Sequence, residues 1–295
     1  MKKKFFHMML VAAVLVMACS DEDSESETEP RITMRTIYPD LTISLAGIGT
    51  ITIDWGDKTE IETYVGMQSY KHVYDDAVST HTVTITGENI TRFDCTNTGT
   101  FQLDVSMNPA LLVLNCGDNA IESLDVSHNA DLLQLDCRSN ALFYLDVSKN
   151  TKLQTFYCLN NKLSQLDVSK NPALIRLNCG MNRLTELDVS HNAALTALDC
   201  YLNGLFDINV SQNAELNYLN CHSNQITGLN FDVNDKLRFL YCQSNKLTSE
   251  ALNGMFGSLH DNVITGMIKE LYISNNPGTN DCDRSIAENK GWIFM

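Results

Sequence analysis

The chain is 295 residues long with a formal net charge of −15, and loss of Lys2, Lys3 and Lys4 with an N-terminal leader takes the remaining body to −18. So acidic a body repels phosphate backbones and anionic lipid headgroups, which argues against a nucleic-acid partner and against membrane binding through the body itself. Ten cysteines in an exported chain ordinarily indicate a disulfide framework, but their spacing points elsewhere.

At the N-terminus the three lysines precede an apolar run from Phe5 to Val16, too short for a stable membrane span. Residues 1–18 are therefore expected to be a cleaved signal. Met17-Ala18-Cys19-Ser20 resembles the lipobox of bacterial lipoproteins, which implies acylation of Cys19 and an N-terminal lipid anchor in the outer membrane. Residues 19–30 alternate Asp, Glu, Ser and Thr with almost no apolar side chain, as a solvated tether does. An acidic run beside a lipidated cysteine also resembles the signal that sends Bacteroidetes lipoproteins to the cell surface; a plain spacer has the same composition.

Residues 31–90 alternate apolar and polar side chains in short runs, Leu41 to Leu45, Thr50 to Asp54 and Thr82 to Thr86, the signature of half-buried strands. Asp54-Trp55-Gly56-Asp57-Lys58, then Tyr70-Lys71-His72-Val73-Tyr74 and His81-Thr82-Val83-Thr84-Ile85, resemble the motif series of PKD-type β-sandwich domains, departing at Lys58, where glycine is usual. The segment is short for a complete sandwich and is expected to sit edge-on against the region that begins at residue 91, as its N-terminal cap.

From residue 91 to 246 one period governs the chain. Cys95, Cys116, Cys137, Cys158, Cys179, Cys200, Cys221 and Cys242 recur every 21 residues, the mark of a repeat array. An apolar residue stands two places before each, and from Cys116 onward an asparagine stands three places after, from Asn119 to Asn245. The unit reads L-x-x-L-x-C-x-x-N-x-L-x-x-L-D-V-S-x-N, as in Leu111 to Asn129, and its last asparagine forms a second column from Asn108 to Asn234. This resembles the leucine-rich repeat, in particular the short internalin-like kind, over roughly half of the chain. The resemblance implies a mainly β, right-handed solenoid with a parallel concave sheet. Leu114 and Cys116 alternate inward on a short strand, and no coil buries its apolar side without neighbours. Twenty-one residues leave no room for a full helix on the convex side, so extended or 3₁₀ segments are expected there. The cysteines are read as small apolar core residues. The aspartates from Asp104 to Asp188 lack the glycine-rich nonapeptide of calcium-binding solenoids, and no short-spaced Cys or His cluster suits a metal; no metal or cofactor is assigned.

Residues 247–295 break the period. Ala251, Leu252, Met255, Phe256 and Leu259 keep helical spacing behind Thr248 or Ser249 as cap, Leu271 to Asn276 restores one last strand and turn, and Asp283 to Lys290 reads as a helical turn stopped by Gly291. Trp292 is expected to fold back and shield the open end, making a short helical C-terminal cap.

Residues flanking the inward Leu and Cys face outward on the sheet, the face this kind of fold usually uses for binding. In the later coils these positions hold Tyr157, Tyr201, Tyr218, His222, Phe239, Tyr241, Gln243 and Tyr272, rimmed by Asp136 and Asp199. Amphipathic rings on a rigid sheet anchor interfaces and stack on sugars, although aromatics also favour strands for packing alone. No H-E-x-x-H, G-x-S-x-G, phosphate loop or dinucleotide fingerprint occurs, and the expectation is a non-enzymatic, monomeric, surface-exposed module that binds an extracellular protein. A glycan-binding accessory role and a structural role in the outer membrane are the alternatives.

Overall fold

The computed structural model describes residues 29–59, 62–66, 68–75, 79–262 and 267–295. The expected signal, the acylation site Cys19 and most of the acidic tether lie outside them. Among the described residues no helix is long and apolar enough to cross a membrane.

Eight strands form the N-terminal part: β1 (Arg31–Thr36), β2 (Asp40–Gly47), β3 (Thr50–Asp54), β4 (Glu62–Val65), β5 (Gln68–Val73), β6 (His81–Thr86), β7 (Ile90–Asp94) and β8 (Thr100–Asp104). Where described, their alternating buried and exposed residues follow the period of two. One sheet runs in the order β4-β3-β6-β1-β8. Facing it, β5 pairs with β2 and β2 with β7, both antiparallel. The strands that seemed too few for a sandwich are completed by the first coil of the repeat array, because β7 carries Phe93, two residues before Cys95, and β8 carries the Leu-Asp of that coil's L-D-V-S segment. Strand β7 then pairs in parallel with β9 (Val113–Asn115), so the sandwich and the solenoid share one continuous sheet.

The solenoid sheet continues through β10 (Gln134–Asp136), β11 (Thr155–Tyr157), β12 (Arg176–Asn178), β13 (Ala197–Asp199), β14 (Tyr218–Asn220) and β15 (Phe239–Tyr241), each in parallel register with the last. Every strand is three residues long and places one apolar residue in the core. Beneath it lie the eight periodic cysteines, all buried and all free thiols. The convex segments carry no helix; they are extended stretches and turns.

Two asparagine columns tie the coils together. Asn182 donates to the carbonyls of Cys158 (3.0 Å) and Cys179 (3.1 Å), and its Oδ1 accepts from the amide of Leu163 (3.0 Å), so one side chain satisfies backbone groups of two coils. In the first coil Thr98 stands in this column and donates to the Cys95 carbonyl instead. The second column is fully buried: Asn192 donates to Val168 and Asn171 carbonyls, both at 2.9 Å. Its Oδ1, like those of Asn129 through Asn234 in the same column, finds no partner among the described residues.

Another column was not anticipated from the sequence. The residue two places after each inward cysteine has a left-handed backbone, with φ between 49° and 56° at Asn97, Asp118, Ser139, Asn160, Met181, Leu202, Ser223 and Ser244, and 61° at the matching Asn275. This turns the chain sharply from the strand into the asparagine column. Small polar residues tolerate that conformation; Met181 and Leu202 do so less well.

After Cys242 the period lengthens because α1 (Ser249–Ser258) is inserted, capped by Thr248, whose side chain accepts from the amide of Ala251. Strand β16 (Lys269–Tyr272) then resumes the sheet, with Ile273 in the cysteine's place and Asn276 in the asparagine's, donating to Cys242 and Ile273 carbonyls. It is not the last strand. After α2 (Ser285–Glu288) and Gly291, which has φ +79°, β17 (Trp292–Phe294) pairs in parallel with β16. Trp292 is buried as expected, but it closes the core from within a further strand, and its indole donates to the carbonyl of His260.

Candidate binding face

The outward positions of the parallel sheet divide into two halves. In the first coils they form a polar network: Asn115 donates to Asp94 (2.8 Å), Gln134 donates to Asn115 (3.0 Å), and Arg138 lies 3.3 Å from Asp136. From Tyr201, just after β13, onward most of these positions carry rings, packed against one another across neighbouring strands because in-register parallel pairing sets equivalent residues about 4.8 Å apart.

Tyr241 and Tyr272 stack with centroids 4.3 Å apart, Tyr241 leans on Tyr218 at 5.5 Å, and Tyr218 on Phe239 at 6.5 Å. Beside this cluster Tyr201 and His222 stack at 4.9 Å. The Tyr201 ring lies over Gly180 of the preceding coil, where an added Cβ would come within 2.6 Å of it. Tyr157 stands apart: no ring contact joins it to the others among the described residues, since Asn178 and Asp199 occupy its position on the next two strands. It instead lines one side of a hollow of about 370 Å³ together with Arg176, Asp199, Tyr218 and Phe239, over the small side chain of Ala197. Gln243 follows His222 in its column, and its buried Oε1 lacks a hydrogen-bond partner among the described residues.

Asp199 is the electrostatic centre of this half. It accepts hydrogen bonds from the Tyr218 hydroxyl (3.2 Å) and from Asn220 (3.1 Å). Burial raises its carboxyl above the ordinary value, against the opposite pull of those two donors. Burial and the nearby Asp199 also raise the Tyr201 and Tyr218 phenols, and burial lowers the His222 imidazole. At neutral pH the phenols therefore stay protonated, and burial disfavours the charged form of His222, beside the half-buried Asp199. Such a surface has strong packing capacity and few charges to desolvate.

Three members escaped the sequence reading. The Arg238 guanidinium lies 5.0 Å from the centre of the Phe239 ring, Glu270 accepts from the Tyr272 hydroxyl (3.1 Å), and Arg176 walls the hollow. Arg238 precedes its strand and only the folded geometry brings it over the ring. Arg176 and Glu270 occupy the outward column of Tyr218 and Phe239, and a column-by-column reading would have found both.

The short parallel strands, the asparagine columns and the consensus they share define a leucine-rich-repeat solenoid, mainly β with few helices. Among solved structures the chain is similar to InlJ from Listeria monocytogenes, a functional domain that includes a cysteine ladder, with 38% identity and a TM-score of 0.54 over 70% of this chain and 49% of that one. The chain thus spans about half the length of the InlJ structure it matches. Lesser likenesses are to the ectodomain of the membrane receptor kinase GASSHO1/SCHENGEN3 from Arabidopsis thaliana (22% identity, TM-score 0.48, 58% of this chain and 22% of that one) and to YopM from Yersinia enterocolitica (21%, 0.45, 57% and 34%). No protein-family model and no curated protein matches the chain.

Proposed function

We propose that the protein is a binding module that engages an extracellular protein through the C-terminal half of its concave sheet. The observation that carries this reading is the packing of Tyr218, Phe239, Tyr241 and Tyr272 into one cluster, with the stacked pair Tyr201 and His222 beside it, all six half-buried on the outward face of the sheet. Rings so held lose little conformational freedom on binding, which is why such positions become interface anchors. The role needs no catalytic group. The eight ladder thiols are sequestered, with Cys179 and Cys221 pushed up to about 12 by burial, and a thiol that stays protonated is a poor nucleophile. In the same reading the N-terminal sandwich is a PKD-type cap, and acylated Cys19 tethers a monomer to the outer membrane with the solenoid at the cell surface.

A glycan is the second reading, favoured by the hollow in which Tyr157, Tyr218 and Phe239 offer ring faces beside Asp199, Arg176 and Asn217. Binding of residues 29–295 to arrays of extracellular-matrix proteins and of glycans, run beside the Tyr201→Ala/Tyr218→Ala/Tyr241→Ala variant, separates the two. A protein ligand lost in the variant supports the first reading and a glycan lost in it the second. No saturable ligand on either array sinks both and leaves the structural role.

A further inference from the structure

On the convex side, opposite the sheet, the coils leave a trough of about 670 Å³. Its floor is apolar: Leu166 and Leu187, each 8% exposed, and the Phe206 ring, which is 63% exposed. A phenylalanine this open on a convex surface has no packing role in its own coil, where Leu205 and Ile208 already point into the core. The rim consists of Asp167, Glu186, Asp188 and Asp207, and no Lys or Arg lines it. Asp167 and Asp188 accept the backbone amides of Ser169 and Ser190 at 2.8 Å, and those bonds hold both carboxyls below the ordinary range and ionised. Lys170 and His191 also lie close enough to lower the Asp167 carboxyl a little further; no ion pair joins either to the rim among the described residues.

Stacking has set like charges one coil apart along this face. Like charges so placed repel one another, which a cationic partner would relieve. The trough crosses three coils, about 10 Å, the reach of some three residues of extended chain at ~3.3 Å each. We propose that it docks a short, extended, cationic peptide segment, with one large apolar side chain seated against Phe206, Leu166 and Leu187 between lysine or arginine side chains that meet the carboxylate rim. The site is independent of the concave face, and its occupant is a cationic segment of a partner protein.

The test uses the full chain and a fluorescein-labelled hexapeptide of alternating lysine and leucine, read by anisotropy at physiological salt. Phe206→Ala, at an exposed position and with its fold checked by thermal melting, is expected to weaken binding about tenfold, as is Glu186→Gln/Asp207→Asn. Glu88→Gln/Asp281→Asn, the same change of charge far from the trough, is expected to leave it unchanged. A lysine–serine peptide is expected to bind at least tenfold more weakly than the lysine–leucine one. The proposal is overturned if Phe206→Ala binds as the natural chain does, if the distant double variant weakens binding as much as the rim variant, or if the peptide shows no saturable binding.

Discussion

At the scale of single residues, the left-handed column after the strands is the clearest case of backbone geometry constraining the sequence. Seven of the nine residues there are Asn, Asp or Ser, which accept φ near +55° at low cost; Met181 and Leu202 do not, and both are exposed (41% and 46%). Leu202→Gly is therefore expected to raise stability by about 1 kcal/mol, measured as a shift of the urea midpoint at unchanged slope. A destabilised Leu202→Gly would mean that contacts of the Leu202 side chain outweigh the strain. In the N-terminal sandwich Asp57 is the residue to watch. Burial alone would raise its carboxyl, yet hydrogen bonds from Thr59 and the contact with His72 at 2.8 Å prevail and bring it from 3.8 down to about 2. A carboxyl depressed on folding stabilises above its unfolded value and loses that contribution as pH falls through the folded one. The natural chain is thus expected to be more stable than Asp57→Asn at pH 5, with the difference closing between pH 4 and pH 2 in denaturant titrations.

Among the elements, those built from one repeated coil were legible and those completed by distant partners were not. The 21-residue spacing of Cys95 to Cys242 located every strand from β9 to β15, because each sits around the apolar residue two places before its cysteine. By contrast β8 has the same L-D-V-S sequence as convex segments that pair with nothing, and it is a strand only because β1 runs beside it, with Met34 opposite Leu103. Pairing at that separation leaves no local trace in the sequence. Strand β17 was missed for a related reason: Trp292 to Phe294 is too short to show a period, and its pairing with β16 defines it. The cysteine ladder yields a prediction of its own. Its thiols are buried and their ionisation is suppressed, whereas Cys282 is only partly buried. Brief treatment of the folded body, residues 29–295, with iodoacetamide is expected to modify Cys282 alone by intact mass, and all nine described cysteines once the chain is unfolded. Modification of ladder cysteines at the rate of Cys282 would show that the solenoid opens far more readily than its packing implies.

For the molecule as a whole, fold and function differ in how far the sequence reaches. The solenoid follows from periodicity alone, since each coil repeats the residues that bury and bond it. The candidate face lies at the variable positions between those residues. There the sequence supplied the membership of the ring cluster, but neither the isolation of Tyr157 nor the hollow that Ala197 opens beside Asp199. One sheet presents two surfaces, polar over β9 and β10 and largely aromatic from Tyr201 to Tyr272, and the proposed function assigns binding to the second. The direct test compares, for one captured ligand, the affinity of Tyr218→Ala/Tyr241→Ala with that of Gln134→Ala/Arg138→Ala by surface plasmon resonance, with circular dichroism verifying both folds. The aromatic pair is expected to cost at least a hundredfold, about 2.7 kcal/mol, chiefly through faster dissociation, and the polar pair less than threefold. Equal affinity for the aromatic variant and the natural chain, or a loss confined to the polar pair, would contradict the assignment of binding to this face.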